Sequence, residues 1–284
     1  MLKSNFAAFI LTHGRADKVI TWDTLKKSGY TGKTYLILDS EDSTIGDYQK
    51  RFGKDNVIVF DKDEIAETFD ISDAIQEKRG VIYARNASFQ IAKDLGIDYF
   101  VQLDDDYTDF LYRWIDGDKI RSTQIKSFDE IVETLIKFLD DTGATTVAMS
   151  QGGDHMGGVG GPIQKGILRK AMNSMFFKTD RPTTFIGRIN EDVNAYVVHG
   201  ALGQLFFTVM NLQLNQVQTQ KSSGGMTELY LDNGTYVKSF YSVMLAPSCV
   251  TVKTMGRTDR RYHHSVKWNN AVPKIINVKH KKAR

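Results

Sequence analysis

The chain has 284 residues, 41% hydrophobic and 25% charged, the balance of an ordinary soluble globular protein with room for one large α/β domain or two small ones. No run of about 18 apolar residues occurs, which argues against a membrane span, and the single cysteine, Cys249, excludes a disulfide within the chain and fits a cytoplasmic setting. The net charge of +3 is uneven: residues 251–284 hold ten Lys or Arg and one acid, Asp259, a local +9 that leaves −6 for the rest.

Strands and helical segments alternate through the first half. "FAAFILT" (6–12) is expected to be a first strand rather than a signal peptide, because its apolar stretch is short and no small-residue cleavage site follows. A helical segment spans about Asp17 to Ser28, and "KTYLILD" (33–39) is a second strand ending in the acidic loop "DSEDST". "NVIVF" (56–60) is a third strand. Residues 72–95 are expected to be helical, with a break at Gly80 and a stop at Gly96. "DYFVQLD" (98–104) is a fourth strand. Ser127 and Glu130 have the spacing of a capping box before the apolar stripe Ile131, Leu135, Phe138 and Leu139, closed by Gly143. "TTVAMS" (145–150) is a fifth strand. Repeated β-α-β units imply a parallel sheet covered by helices on both faces.

Past residue 150 the pattern loosens. "QGGDHMGGVGGP" is too poor in side chains to build core and suits a lid or an acceptor-site loop. "GQLFFTVM" and "TYVKSFYSVML" are expected strands, with turns at "SSGG" and "DNG". No repeat or Pro/Ser-rich linker interrupts the chain, so a single domain is expected, with a first half (1–150), an irregular second half (151–276) and a basic tail (277–284).

The chemistry concentrates at strand ends. In an open parallel sheet, ligands bind beyond the carboxyl ends of the strands. Thr12, His13, Asp39 and Asp104 all stand at such ends. The fourth strand runs into Asp104, Asp105 and Asp106, three adjacent carboxylates that repel one another unless a cation sits between them. Asp104 and Asp106, spaced i, i+2, can both face one hard cation, Mg²⁺ or Mn²⁺, carrying a nucleotide diphosphate. The plain alternative is a solvent-exposed acidic turn. In "GRINEDVNAYV" (187–197), Glu191 and Asp192 suit the first turn of a helix, and a carboxylate held at the mouth of a site is also a general base. His263 and His264 lie in the basic region, as metal ligands, phosphate contacts or ordinary surface residues.

"ARNAS" followed by "LGIDYFVQLDDD", then "NED", then a late histidine, resembles glycosyltransferases of the GT-A fold, as do "ILTHGR" and "LILDSED". More narrowly, "GRINEDVNAYV", "TQKSSGGM", "GTYVKSFYSVMLAPSCV" and "RYHHSVKWNNAVPKII" resemble the phage TET-associated glycosyltransferases, linked to sugar addition on 5-hydroxymethylpyrimidines in DNA. The resemblance covers most of residues 6–276. It implies an α/β, GT-A-like, open and mostly parallel sheet with helices on both faces and an irregular mixed C-terminal half. It implies a UDP-sugar donor, Mn²⁺ or Mg²⁺, and duplex DNA containing a 5-hydroxymethylpyrimidine, 5-hydroxymethylcytosine foremost, as acceptor. The first half then binds the nucleotide-sugar and the second the acceptor.

On this resemblance Asp104 and Asp106 hold the metal, with His263 or His264 as third ligand, and Asp105 faces the sugar. Thr12, His13 and Arg15 border the nucleotide, and Asp39 contacts the uridine. Arg85 meets the diphosphate or a metal-binding carboxylate. Asp192 is the base, while Glu191 points away or binds an acceptor hydroxyl. Arg188, Arg257, Arg260, Arg261 and Lys267 contact DNA. Other acceptors (polysaccharide, lipid or protein) are the main alternative. A sugar-nucleotide pyrophosphorylase needs a glycine-rich phosphate loop that "LTHGRADK" lacks, and a DNA-binding protein without catalysis needs the acidic triplet to be only a turn.

Overall fold

The computed structural model of the chain describes residues 2–73, 78–167, 170–217, 227–255 and 260–273, the side chains of 227–235 excepted. The turn expected at 222–225, Arg257 and the basic tail lie outside the described residues.

In chain order the first elements are β1 (Phe6–Leu11), α1 (Ile20–Lys27), β2 (Lys33–Asp39), α2 (Ile45–Phe52), β3 (Val57–Phe60), α3 (Lys62–Ala66), α4 (Ile82–Asp94) and β4 (Tyr99–Asp104). A hairpin follows directly, β5 (Tyr107–Asp116) and β6 (Lys119–Gln124), then α5 (Phe128–Thr142) and β7 (Thr146–Gln151). The remainder is α6 (Pro162–Lys165), β8 (Met175–Lys178), α7 (Glu191–Ala201), β9 (Phe206–Gln216), α8 (Thr227–Leu245), β10 (Val250–Met255) and β11 (Arg261–Val266).

Among the described residues nine strands form one sheet in the order β3-β2-β1-β4-β8-β7-β9-β5-β6. The β3-β2-β1-β4 block is parallel, while β8 runs antiparallel to both β4 and β7, and β9 is parallel to β7 but antiparallel to β5. This is the expected open α/β sheet with a mixed second half. All six residues of β1 are buried, so its sequence carries no apolar–polar alternation. Alternation reappears in what each residue touches. Ala8, Ile10, Leu36, Leu38, Val101 and Leu103 share one buried cluster with Val132, Leu135 and Leu139 of α5. Ala7, Phe9, Leu11, Ile37 and Phe100 pack against Ile82, Tyr83, Ala87 and Ile91 of α4 on the other face.

Several local expectations fail for identifiable reasons. The Ser127 side chain makes no cap; instead Asp129 accepts from the Thr31 backbone N–H (2.9 Å) and Thr31 Oγ1 (2.7 Å), fastening α5 beside β2. The helix expected from residue 72 begins only at Ile82, after Gly80 at φ +136°. "TYVKSFYSVML" and the preceding "DNG" belong to α8, not to a strand and a turn. Its aromatic and β-branched residues suggest β structure, but Val237, Tyr241 and Leu245 recur every fourth residue and together cover Ile189. Among the described residues no helix is long and apolar enough to cross a membrane.

Candidate active site

Parallel pairing of β1 with β2 and β4 sets Leu11 beside both Ile37 and Asp104, bringing three strand ends to one rim. At the β2 end, Asp39 is 8% exposed and meets His13 Nδ1 at 2.8 Å and the buried Lys62 Nζ at 3.3 Å. Lys62 also reaches Glu41 at 2.9 Å. Burial works against the Asp39 charge, yet His13 and Lys62 hold its carboxyl below the usual range, and the Asp39 hydrogen bond raises the His13 pKa. Asp42 accepts from Gly14 N–H at 2.7 Å and from the Thr44 N–H and hydroxyl, fixing the loop after β1. Sequence reasoning does not single out Lys62, Asp42 or Tyr48; an acid-rich loop that must be compensated is their only trace there.

The acidic triplet divides its labour. Asp105 turns inward, 2% exposed, accepting from Thr12 Oγ1 at 2.6 Å and pairing with Arg15 Nη2 at 3.0 Å. Tyr48 completes this network, 2.9 Å from Thr12 Oγ1 and accepting from the Arg15 backbone N–H at 2.8 Å. The expectation that Asp105 faces a sugar is therefore corrected: it locks the loop after β1 to the end of β4. Asp104 keeps 29% of its side chain exposed and meets Arg85 Nη2 at 3.3 Å. Asp106 is partly exposed and makes no ion pair among the described residues. Burial, with repulsion from Glu191 and Asp105 and against the pull of Arg85, pushes the Asp104 pKa up to about 6. Burial and the charges of Asp104 and Asp105 push Asp106 up to about 7. Such a like-charged, partly open pair offers the hard oxygen donors that a divalent cation takes.

Helix α7 brings its acids to the same place. Asn190, at φ +55°, starts the helix and donates through Nδ2 to Lys238 O at 2.6 Å, tying α7 to α8. Glu191 is fixed by Arg85 Nε at 2.9 Å. Asp192, 7% exposed, accepts from the Val193 N–H at 2.7 Å. Burial raises both acids' pKa values, with Arg85 opposing. Arg85, 1% exposed, is thus the hub between the β4 and α7 carboxylates, and its Nη1 has no hydrogen-bond partner among the described residues. Its backbone carbonyl accepts from Gln102 Nε2 at 2.8 Å, anchoring α4 on β4.

The late residues behave differently. His263 and His264 lie on β11, paired with β10. Burial, His263, Lys238 and Lys170 push the His264 pKa down to about 4, and the same two lysines act on Asp192. Among the described residues no three His, Cys, Asp or Glu side chains converge as a metal site, so neither histidine joins Asp104 and Asp106 as the expected third ligand. Arg188 is corrected too. It is 1% exposed and pairs with Asp73 at 3.1 Å, while Tyr241 donates to Asp73 at 2.8 Å, so it cannot reach DNA phosphates. Arg260, Arg261 and Lys267 are exposed around the β10–β11 hairpin.

Residues 6–225 match the family model described as TET-Associated Glycosyltransferase. No curated protein sequence matches the chain. Solved structures similar to it include glucosyl-3-phosphoglycerate synthase from Mycobacterium tuberculosis in complex with Mg²⁺ and UDP, at 9% identity and a TM-score of 0.49 over 92% of this chain and 87% of that one. TarS from S. aureus aligns at 13% identity and a TM-score of 0.43, over 76% of this chain and 37% of that one. The mannosyltransferase PcManGT from Pyrobaculum calidifontis, in complex with GDP-Man and Mn²⁺, aligns at 11% identity and a TM-score of 0.47, over 87% and 73%.

Proposed function

The chain belongs to the TET-associated glycosyltransferase family, and from that premise we propose that it moves a sugar from a UDP-sugar to the hydroxyl of 5-hydroxymethylcytosine in phage DNA. The observation that carries the reading is the convergence on Arg85 of Asp104 from β4 and Glu191 from α7, with Asp192 beside them. Four carboxylates gathered at a strand-end rim, one pair partly open and one pair at a helix start, serve displacement at an anomeric carbon.

In this reading Asp39, His13 and Lys62 form the nucleoside end of the site, and Thr12, Arg15 and Asp105 fix the loop that borders it. Asp104 and Asp106 would hold Mn²⁺ or Mg²⁺, since both offer the hard oxygen donors such an ion takes. When bound, such an ion offsets negative charge on the leaving diphosphate. Arg85, whose Nη1 has no hydrogen-bond partner among the described residues, fixes Glu191 and would add positive charge near the same anion. Asp192 takes the proton from the acceptor hydroxyl. Glu191 is already held by Arg85, which leaves Asp192 for proton transfer, and a raised pKa brings a carboxylate closer to the operating pH of a general base. The exposed Arg260, Arg261 and Lys267 contact acceptor phosphates.

The deciding experiment incubates the protein with duplexes containing 5-hydroxymethylcytosine, Mn²⁺ and a panel of UDP-sugars, followed by mass spectrometry of the nucleosides. The expected result is a hexose or pentose mass gained by the hydroxymethylated nucleoside. Donor hydrolysis across the panel with no nucleoside modified would overturn the DNA acceptor.

A further inference from the structure

The glycine-rich loop after β7 covers a set of polar groups that the chemistry above does not use. Ser150 of β7 stands opposite Gln213 of β9, and Gln213 stands opposite Leu111 of β5. Arg113 lies two residues further along β5 and so shares the face of Leu111. His155, within the loop, joins this row through Nε2, 2.9 Å from Ser150 Oγ.

The hydrogens can be assigned. Ser150 Oγ lies 2.8 Å from Leu212 O, and a carbonyl only accepts, so the serine's one hydrogen points there. His155 Nε2 must then donate to Ser150, which leaves Nδ1 of the neutral ring as an acceptor. Burial and the Arg113 charge lower the His155 pKa, in keeping with a neutral ring. Gln213 Nε2 donates to Asn215 Oδ1 at 2.5 Å, which fixes the amide and leaves Oε1 as an acceptor. Three enclosed atoms of this face have no hydrogen-bond partner among the described residues: His155 Nδ1, Gln213 Oε1 and Arg113 Nε. His155 is 8% exposed and Gln213 2%. Folded proteins pair nearly all such groups with protein, water or a ligand, so each of these calls for a partner.

Two acceptors and one donor match the exocyclic amino group and ring N3 of cytosine, where N3 and one amino hydrogen lie on the Watson–Crick edge and the other amino hydrogen lies on the C5 side. Its exocyclic amino group carries two hydrogens and its ring N3 accepts. Uracil turns a carbonyl oxygen toward the two acceptors and an N–H toward the arginine. His155 is anchored on Ser150, whereas beside it Gly157 and Gly158 sit at positive φ and nothing lies within 4 Å of a Cβ placed on Gly153, Gly158 or Gly160. The patch also adjoins the proposed base, because Asp154 pairs with Lys170 at 2.5 Å and the Lys170 charge acts on Asp192.

Resting on the DNA reading above, we propose that the polar face made by His155 of this loop with Gln213 and Arg113 of the sheet receives the amino group and N3 of the acceptor cytosine. His155 Nδ1 and Gln213 Oε1 take its amino hydrogens and Arg113 Nε donates to N3. The base must leave the helical stack to reach them, as chemistry on a base commonly requires.

The test compares 5-hydroxymethylcytosine and 5-hydroxymethyluracil in otherwise identical duplexes, for the wild type and for His155→Phe and Gln213→Met. These variants change different elements, so one still reports if the other fails to fold, and each is first checked for a UDP-induced thermal shift. Wild type should prefer the cytosine duplex. Each variant should lose tenfold or more in kcat/KM on that duplex, mainly through KM, and so narrow the preference. A preference unchanged in both variants, or a wild type that favours uracil, overturns this assignment and leaves glycosylation of DNA standing. A wild type that hydrolyses the donor and modifies neither duplex overturns both.

Discussion

The strand-end rim and the β10–β11 hairpin place charge in opposite ways. On the rim four carboxylates are buried or partly buried and already paired: Asp39 with His13 and Lys62, Asp105 with Arg15, and Asp104 and Glu191 with Arg85. On the hairpin Lys253, Arg260, Arg261 and Lys267 stand in water. Buried pairs fix geometry, and removing one partner leaves an uncompensated charge, whereas exposed charges are screened and act roughly one by one. Alterations to the rim should therefore act sharply, and alterations to the hairpin by degrees.

The sharpest separation comes from the rim itself. Asp104→Asn and Asp106→Asn should abolish transfer without lowering the unfolding midpoint, since each removes a charge from a crowded like-charged set. Asp192→Asn should bind UDP normally and lower turnover by about 10² to 10⁴, the range expected for a lost general base. Arg85→Met should instead unfold early in urea, by about 3–5 kcal/mol, because Asp104 and Glu191 lose their shared cation. A Glu191→Gln protein without activity beside a near-normal Asp192→Asn would exchange the two roles. Full activity of both triplet variants, or activity indifferent to EDTA, would show that the buried rim does not hold the metal.

How much of this contrast is legible in the sequence follows from what charge patterns encode. The triplet and the "NED" acids are visible because both interrupt apolar runs, and the β-α-β rhythm places them on one rim. The sequence does not say which acid faces inward. Asp105 is set apart from its neighbours only by Thr12 and Arg15, contributed by another strand's end. Arg188 and Arg85 illustrate the same limit: both are 1% exposed, yet one bridges the rim and the other is held by Asp73 far along the chain. The β5–β6 hairpin directly after Asp106 escapes a pattern reading because Trp114, Ile115 and most of β6 are exposed and give no buried face to detect. The orphaned atoms beneath the glycine-rich loop leave no trace in composition at all.

The hairpin should respond more gently. Replacing Arg260, Arg261 and Lys267 together with Gln should weaken duplex binding and flatten its salt dependence, by about 0.9 in the log–log slope for each phosphate that is no longer neutralised. Anisotropy titrations at several salt concentrations measure it. Transfer at saturating DNA should survive, since none of the three reaches the carboxylates. An unchanged slope would detach the hairpin from the acceptor, and loss of transfer at saturation would give it a role in the chemistry.

The smallest effect lies where the two regimes meet, at His13. Its side chain is 54% exposed, yet it pairs with the buried Asp39. A histidine whose folded pKa is raised contributes stability that is fully present below its unfolded value, about 6.5, and is lost as pH rises through the folded pKa. Asp39 has the opposite sign: its lowered pKa gives a contribution present above the unfolded carboxylate value and lost as pH falls through the folded one. Both conditions hold only in weak acid. The gap in unfolding midpoint between wild type and His13→Asn should thus be widest near about pH 5.5 and close toward about pH 8. Half exposure means that added salt should shrink it. If the gap is the same at both pH values, Lys62 alone balances Asp39, and His13 belongs with the screened charges of the hairpin rather than with the rim.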